Sequence, residues 1–205
     1  KETLDAIPAR LINAWHDLPP GPKPPDEVTA VVEIPRGSRN KYELDKVTGL
    51  LRLDRVLYSA VHYPGDYGFI PRTLHEDGDP LDILVMINEP TFPGCHIDCR
   101  PLGVLRMLDR GEPDDKVLAV PVNDPYYGEY FDIADLPGHF LKEVEHFFSI
   151  YKDLEGRRAE IQRWEKSELA AKVILDSTRR SEENYLHHDP YPRARPPPPA
   201  PRPPH

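Results

Sequence analysis

From Val28 to Pro121 the chain is a series of short β-branched or apolar segments cut apart by Gly, Pro and Asp, and beyond residue 138 its apolar period becomes helical. A strand repeats every two residues and a helix every 3.6, so neither element alone accommodates both halves. The pattern predicts a β core followed by helices, an α+β fold. Strands are expected at Val28–Ile34, Leu81–Ile87, Arg100–Asp109 and Lys116–Pro121, and a hairpin where Lys41–Asp45 and Leu50–Val56 flank Lys46-Val47-Thr48-Gly49. Short strands at this spacing suggest a closed or nearly closed barrel. Phe140, Leu141, Val144, Phe147, Phe148 and Tyr151 mark an amphipathic helix over 138–153. A second helix opens at Ser167, read as its N-cap, with Leu169, Ala170, Val173 and Ile174 on one face.

The two ends read differently. Residues 1–27 hold a small apolar patch (Leu11, Ile12, Ala14, Trp15) and then Leu18-Pro19-Pro20-Gly21-Pro22-Lys23-Pro24-Pro25, an extended arm rather than a helix. Residues 28–186 form the expected domain. Residues 187–205 are a Pro/Arg-rich tail without the apolar surface to fold alone. Its Arg193-Ala194-Arg195-Pro196 stretch reads either as a polyproline ligand or as a solubilising extension.

A formal charge of -9 with no basic stripe argues against nucleic acid, and no apolar run is long enough to span a membrane. Cys95 and Cys99 are too few for a disulfide framework or a Cys-only zinc site, so we expect reduced thiols in a cytoplasmic protein.

The chemistry concentrates in Asp77-Gly78-Asp79-Pro80-Leu81-Asp82. Three carboxylates in one Gly/Pro-broken loop disfavour one another's ionised forms, and hard divalent cations with oxygen ligands are the natural compensation. A second acidic turn, Asp109 through Lys116, follows a strand; alone it reads as a solvated hairpin turn, and beside the first it can share a metal array. Lys41 and Glu43 lie on one strand face, as a cross-strand ion pair or as a phosphate-binding Lys beside a metal-binding Glu. Glu33 interrupts an otherwise buried run, where a carboxylate needs a partner or a metal. Tyr63 and Tyr67 read as core phenols or ligand contacts, and Lys152 as a helix C-terminal cation or a site residue.

Taken together, Glu33-Ile34-Pro35, Lys41 through Asp45, Asp54-Arg55, Tyr63-Pro64 with Tyr67-Gly68, Asp77 through Asp82, Asp109 with Asp114 and Lys116, and Phe147-Phe148 with Tyr151-Lys152 resemble the soluble family I inorganic pyrophosphatases, in order and register. The resemblance covers roughly Val28 to Leu154 and implies a five-stranded OB-like β-barrel with flanking C-terminal helices. It implies Mg²⁺-dependent hydrolysis of Mg-pyrophosphate to two orthophosphates. Asp77, Asp82 and Asp114 match positions for the tightest metals, Asp109 a metal arriving with substrate, and Glu33 and Glu43 a further metal. Asp79 matches the carboxylate that orients and deprotonates the attacking water. Lys41, Arg55, Tyr67, Lys116, Tyr151 and Lys152 match residues around the phosphoryl groups. Arg110 departs from relatives, which are often acidic or Gln there. A homo-oligomer is implied, a hexamer more than a dimer, with His146 as one residue that could lie in the contact.

Elementary charge counting agrees with several metals. The seven carboxylates of this set outnumber its four cations, and pyrophosphate adds roughly -3 to -4, so about three or four divalent ions are needed. Mg²⁺ fits best, with Mn²⁺ a possible substitute. Two metals flanking Asp82 would share and acidify a water for direct in-line attack, and no Ser, Cys or His stands as an obvious covalent nucleophile. Rival readings fare worse. An EF-hand counted from Asp77 fails at Leu81 and Asn88. A nucleotide-sugar transferase would need a Gly-rich strand–turn–helix, which is missing. The remaining alternative is an inactive family member serving as a metal- or phosphate-binding scaffold.

Overall fold

A computed structural model describes residues 12–185 of the chain. The tail at 187–205, with its polyproline reading, and the first part of the N-terminal arm lie outside the described residues. In chain order the elements are helix α1 (Ala14–Asp17), strands β1 (Val28–Ile34), β2 (Asn40–Leu44), β3 (Leu51–Val56), β4 (Asp66–Phe69), β5 (Asp82–Val85), β6 (His96–Asp109), β7 (Glu112–Pro113) and β8 (Lys116–Pro121), then helix α2 (Gly138–Ile150), strand β9 (Ala159–Lys166) and helix α3 (Ser167–Tyr185).

Five strands close on themselves. β1 pairs with β4, β4 with β5 and β8 with β6, all antiparallel; β5 and β8 run parallel, and β6 returns to β1. This ring is the OB-like architecture the resemblance implies, because closure leaves none of its members as an open edge. β6 serves two neighbours. Its register shifts between Pro101 and Gly103, so its first half pairs with β1 while its second half pairs with β9. The β2–β3 hairpin stands outside the ring as its own two-stranded sheet.

Alternation along the strands divides the core. Ile83 and Val85 of β5 with Val117 and Ala119 of β8 pack with Val173 and Ile174 of α3. Tyr67, Leu84 and Leu118, on the other face, pack with Val144, Phe147 and Phe148 of α2 and with Tyr151 just after it. β8 is buried at every position, as expected of a strand covered on both faces.

β4 was not expected from sequence, where 63–68 reads as a turn-rich segment. Gly68 makes the strand possible: a Cβ there would stand 1.8 Å from the Val31 carbonyl oxygen of β1. Gly68→Ala should therefore cost about 2–3 kcal/mol through forced separation of β1 and β4. Urea denaturation checks it, and an unchanged midpoint would contradict the close approach.

Ser167 is the first residue of α3 rather than its cap; its hydroxyl donates to Asp132 Oδ2 at 3.0 Å. Ahead of β1, Leu18–Pro25 is not helical, and α1 is docked through Trp15, whose Nε1 donates to the Thr73 carbonyl at 2.7 Å. Among the described residues no helix is long and apolar enough to cross a membrane.

Candidate active site

The first acidic loop is tightly built. Leu81 N donates to Thr73 Oγ1 at 2.9 Å, closing the neck, and His75 N donates to the Asp79 carbonyl at 2.7 Å. Gly78 takes φ +85°, a conformation that favours glycine, and Asp79 N donates to Asp77 Oδ1 at 3.0 Å. The loop thus presents Asp77 and Asp79 and feeds Asp82 into β5.

Parallel pairing then sets Asp82 beside Lys116 of β8. The Lys116 ammonium bonds both Asp82 and Asp114 while only 3 % exposed. Tyr67 donates its hydroxyl to Asp82 Oδ2 at 2.5 Å. Asp114 and Asp115 diverge, as neighbours in an extended segment do: Asp115 turns to Arg106 Nε at 3.0 Å, away from Lys116.

The remaining side chains arrive from three directions. Glu33 of β1 accepts from Leu44 N at 2.7 Å. The hairpin brings Lys41, which bonds Glu43 and stands 3.6 Å from Asp54, and Arg55, whose Nε donates to Glu155 Oε1 at 2.9 Å. Tyr151 follows α2 and packs at 5.3 Å on Phe147, and Lys152 reaches Asp109 Oδ2 at 2.8 Å. One cavity of about 480 Å³ collects them: Glu33, Lys41, Glu43, Arg55, Tyr67, Asp77, Asp79, Asp82, Asp109, Asp114, Lys116, Tyr151 and Lys152 all line it. Arg110 lines it too, at φ +55° in the turn after β6.

Sequence reasoning missed Trp15, Lys46 and Arg157, which line the same cavity, and Glu155 behind Arg55. Their signal was faint. Lys46 sits next to the Lys41–Asp45 motif but in a turn, and Trp15 lies in a segment with no matching pattern.

Electrostatics reflect the crowding of acids. Burial pushes Glu33 up to about 8 and Asp77 up to about 6. Burial also raises Asp82; at Asp114 burial pushes upward too, but the Lys116 ammonium with Lys152 and His75 holds the carboxyl below its usual range. Lys116 is itself raised: burial opposes its charge, but Asp82 and Asp114 prevail. Tyr67 and Tyr151, both buried, are pushed well above the ordinary phenol and remain hydroxyl donors.

The donor set suits hard cations, being carboxylate oxygen throughout. Asp109 Oδ1 is buried without a hydrogen-bond partner, an acceptor that a cation would satisfy. Among the described residues no three acids stand together as a ready-made nest, and the Lys116 and Lys152 ammoniums occupy oxygens of Asp82, Asp114 and Asp109. Cation binding here requires those pairs to rearrange.

Comparison with known proteins agrees with this picture. The family model described as inorganic pyrophosphatase matches residues 30–182. The chain is 51% identical over 172 residues to a soluble inorganic pyrophosphatase 2 of Chlamydomonas reinhardtii, covering 84% of this chain and 90% of that one. It is 58% identical over 147 residues to an inorganic pyrophosphatase of Geobacillus stearothermophilus, covering 72% and 89%. The solved inorganic pyrophosphatase of Thermus thermophilus superposes with a TM-score of 0.81 at 42% identity, over 83% of this chain and 99% of that one.

Proposed function

The chain belongs to the inorganic pyrophosphatase family, and on that premise we propose that it hydrolyses pyrophosphate to two orthophosphates by direct in-line attack of water. The observation that carries the reading is one cavity where the seven carboxylates named above, with Glu112, meet Lys41, Arg55, Lys116 and Lys152, with Lys46, Arg110 and Arg157 also on the lining. Acids in slight excess over bases disfavour a bare polyanion but suit one accompanied by divalent cations. Asp77, Asp82, Asp109 and Asp114, with Glu33 and Glu43, would hold about three or four Mg²⁺, or Mn²⁺ in substitution. When bound, these ions neutralise the site and the substrate and acidify the attacking water.

The chain's own residues do the rest. Asp79, at the mouth of the cavity, accepts the water's proton on a carboxylate oxygen and aims the water at phosphorus. Arg55, braced by Glu155, and Lys41 hold one end of the substrate, and Lys116 and Lys152 stabilise charge on the departing phosphate. Tyr67 and Tyr151 donate hydroxyl hydrogens to phosphoryl oxygens. Every assigned position keeps a side chain able to perform its task, so the inactive-scaffold alternative is not favoured. Free Cys95 and Cys99 are compatible with a reducing cytoplasm. We assign a homo-oligomer, hexamer before dimer, by analogy with relatives; light scattering of the purified chain tests it.

The direct experiment is phosphate release from pyrophosphate with and without Mg²⁺. Strong release that a chelator abolishes is expected, and inactivity with every divalent ion would overturn the reading. A second expectation concerns pH. Ionised Glu33 and Asp77 are disfavoured in the fold, at about 8 and about 6, so the cation-free protein keeps a proton on Glu33 at neutrality and on Asp77 only below about 6, and it loses stability as pH rises from the ordinary carboxylate range up to those values. Cations need the ionised forms. Mg²⁺ affinity should therefore rise from pH 6 to 8, and binding should release protons, measurable by calorimetry in buffers of differing ionisation enthalpy. An affinity flat across that range would contradict it.

A further inference from the structure

Lys46 occupies the turn of the β2–β3 hairpin, and its ammonium bonds the carboxylate of Asp79. Both side chains are 56% exposed, so the pair sits at the mouth of the cavity. The lysine is not free to wander. Its Nζ stands 5.5 Å from the centroid of the Trp15 ring, within cation–π range.

Trp15 is rigidly seated. It is 3% exposed, its Nε1 donates to the Thr73 carbonyl at 2.7 Å, and its own carbonyl accepts from Arg72 N at 2.7 Å. His16 stacks on its ring at 4.4 Å, and Tyr185 of α3 meets it edge-on at 5.5 Å. Thr73 is also the residue whose hydroxyl closes the neck of the acidic loop through Leu81 N. The hairpin turn rests on the same segment, since a Cβ on Gly49 would come 3.2 Å from the Ile12 carbonyl oxygen. Trp15 precedes the residues matched by the family model, yet it lines the cavity and touches both the acidic loop and the hairpin.

We propose that Lys46 is a further substrate-binding residue and Trp15 its positioning residue, an inference that rests on the pyrophosphatase reading. Lys46 holds Oδ1 of Asp79, so that oxygen becomes an acceptor for water only when the lysine leaves. Divalent cations entering beside Asp79 repel the ammonium, and the incoming anion is then its strongest partner. Trp15 keeps the lysine at the mouth, where it meets the outer phosphoryl group as it leaves Asp79.

The test combines kinetics with a binding signal. Lys46→Met raises KM for Mg-pyrophosphate about tenfold with a smaller change in kcat, the loss expected of one charge-assisted contact, and Lys46→Arg restores most of it. Trp15→Leu raises KM about threefold, and adding it to Lys46→Met costs nothing more, because both act through one contact. The chain has two tryptophans, so Trp164→Phe leaves Trp15 as the sole indole. In that background, Mg²⁺ with imidodiphosphate, a non-hydrolysable analogue, shifts Trp15 emission, and the shift vanishes with Lys46→Met. A normal KM in Lys46→Met, or a fluorescence shift indifferent to it, overturns the proposal. If pyrophosphate is not hydrolysed but the Lys46-dependent shift persists, the clamp stands and the assigned reaction falls.

Discussion

Asp79→Asn leaves the chain folded and lowers phosphate release from pyrophosphate by about 10²–10⁴-fold at saturating Mg²⁺, the span of a lost general base. The amide matches the carboxylate in shape, so the loop should survive. Its supports at this residue are backbone groups: Asp79 N donates to Asp77 Oδ1 and the Asp79 carbonyl accepts from His75 N. The side chain is more than half exposed, and exposed substitutions of this kind usually move stability by only about 0.5 kcal/mol. What disappears is an acceptor for the water's proton, together with the exposed ion pair to Lys46, which is worth little to stability. The loss should therefore fall on kcat, with KM little changed and an unaltered thermal midpoint. Full activity in the variant would remove Asp79 from its role while leaving the reaction assigned. Substituting Asp82 instead would confound the result, since that carboxylate also anchors Lys116 and Tyr67.

The elements legible in the sequence were those whose pattern is set by burial on a regular period. β8 runs Lys116–Pro121 as expected, and α2 follows its apolar stripe from Gly138 but ends at Ile150, short of the expected 138–153, so that Lys152 lies beyond the helix and reaches Asp109. β4 was hidden because Asp66 and Gly68 look like turn residues. Asp66 is in fact buried, accepting from Arg36 N at 2.7 Å and Thr91 Oγ1 at 2.6 Å, contacts no local pattern reveals. β9 was hidden because Ala159, Ile161 and Trp164 stand among five charged or polar residues in no regular alternation; it forms by pairing with the second half of β6. The site followed the same rule. Its acids announced themselves by repulsion within short loops, whereas Lys46, Trp15 and Glu155 join it only through folding of the hairpin, the N-terminal segment and the turn after α2.

Lys116→Met tests the charge balance on which that site depends. Lys116 is almost fully buried between Asp82 and Asp114, with its ammonium 5.8 Å from the Tyr67 ring centroid and 6.0 Å from that of Phe148. Methionine fills much of the same volume, so packing changes little. Without the cation, two largely enclosed carboxylates face each other. Breaking a buried pair from one side typically costs about 3–5 kcal/mol, and that is the expected loss of stability at pH 8 in chelator. The sign with pH follows from Asp114, which lies below the usual carboxylate range because Lys116 first, then Lys152 and His75, together overcome its burial. In the wild type that contribution is present above the ordinary carboxylate pKa and fades as pH falls through the lowered value. In the variant the carboxylates instead gain by protonation, so the deficit should shrink on going from pH 8 to pH 5. Mg²⁺ at pH 8 should shrink it as well, because a divalent ion meets the same two carboxylates. Denaturation in urea under these conditions separates charge from shape. A deficit equal at both pH values and indifferent to Mg²⁺ would mean that Lys116 supports the barrel by packing, and that its carboxylates are not the cation's partners.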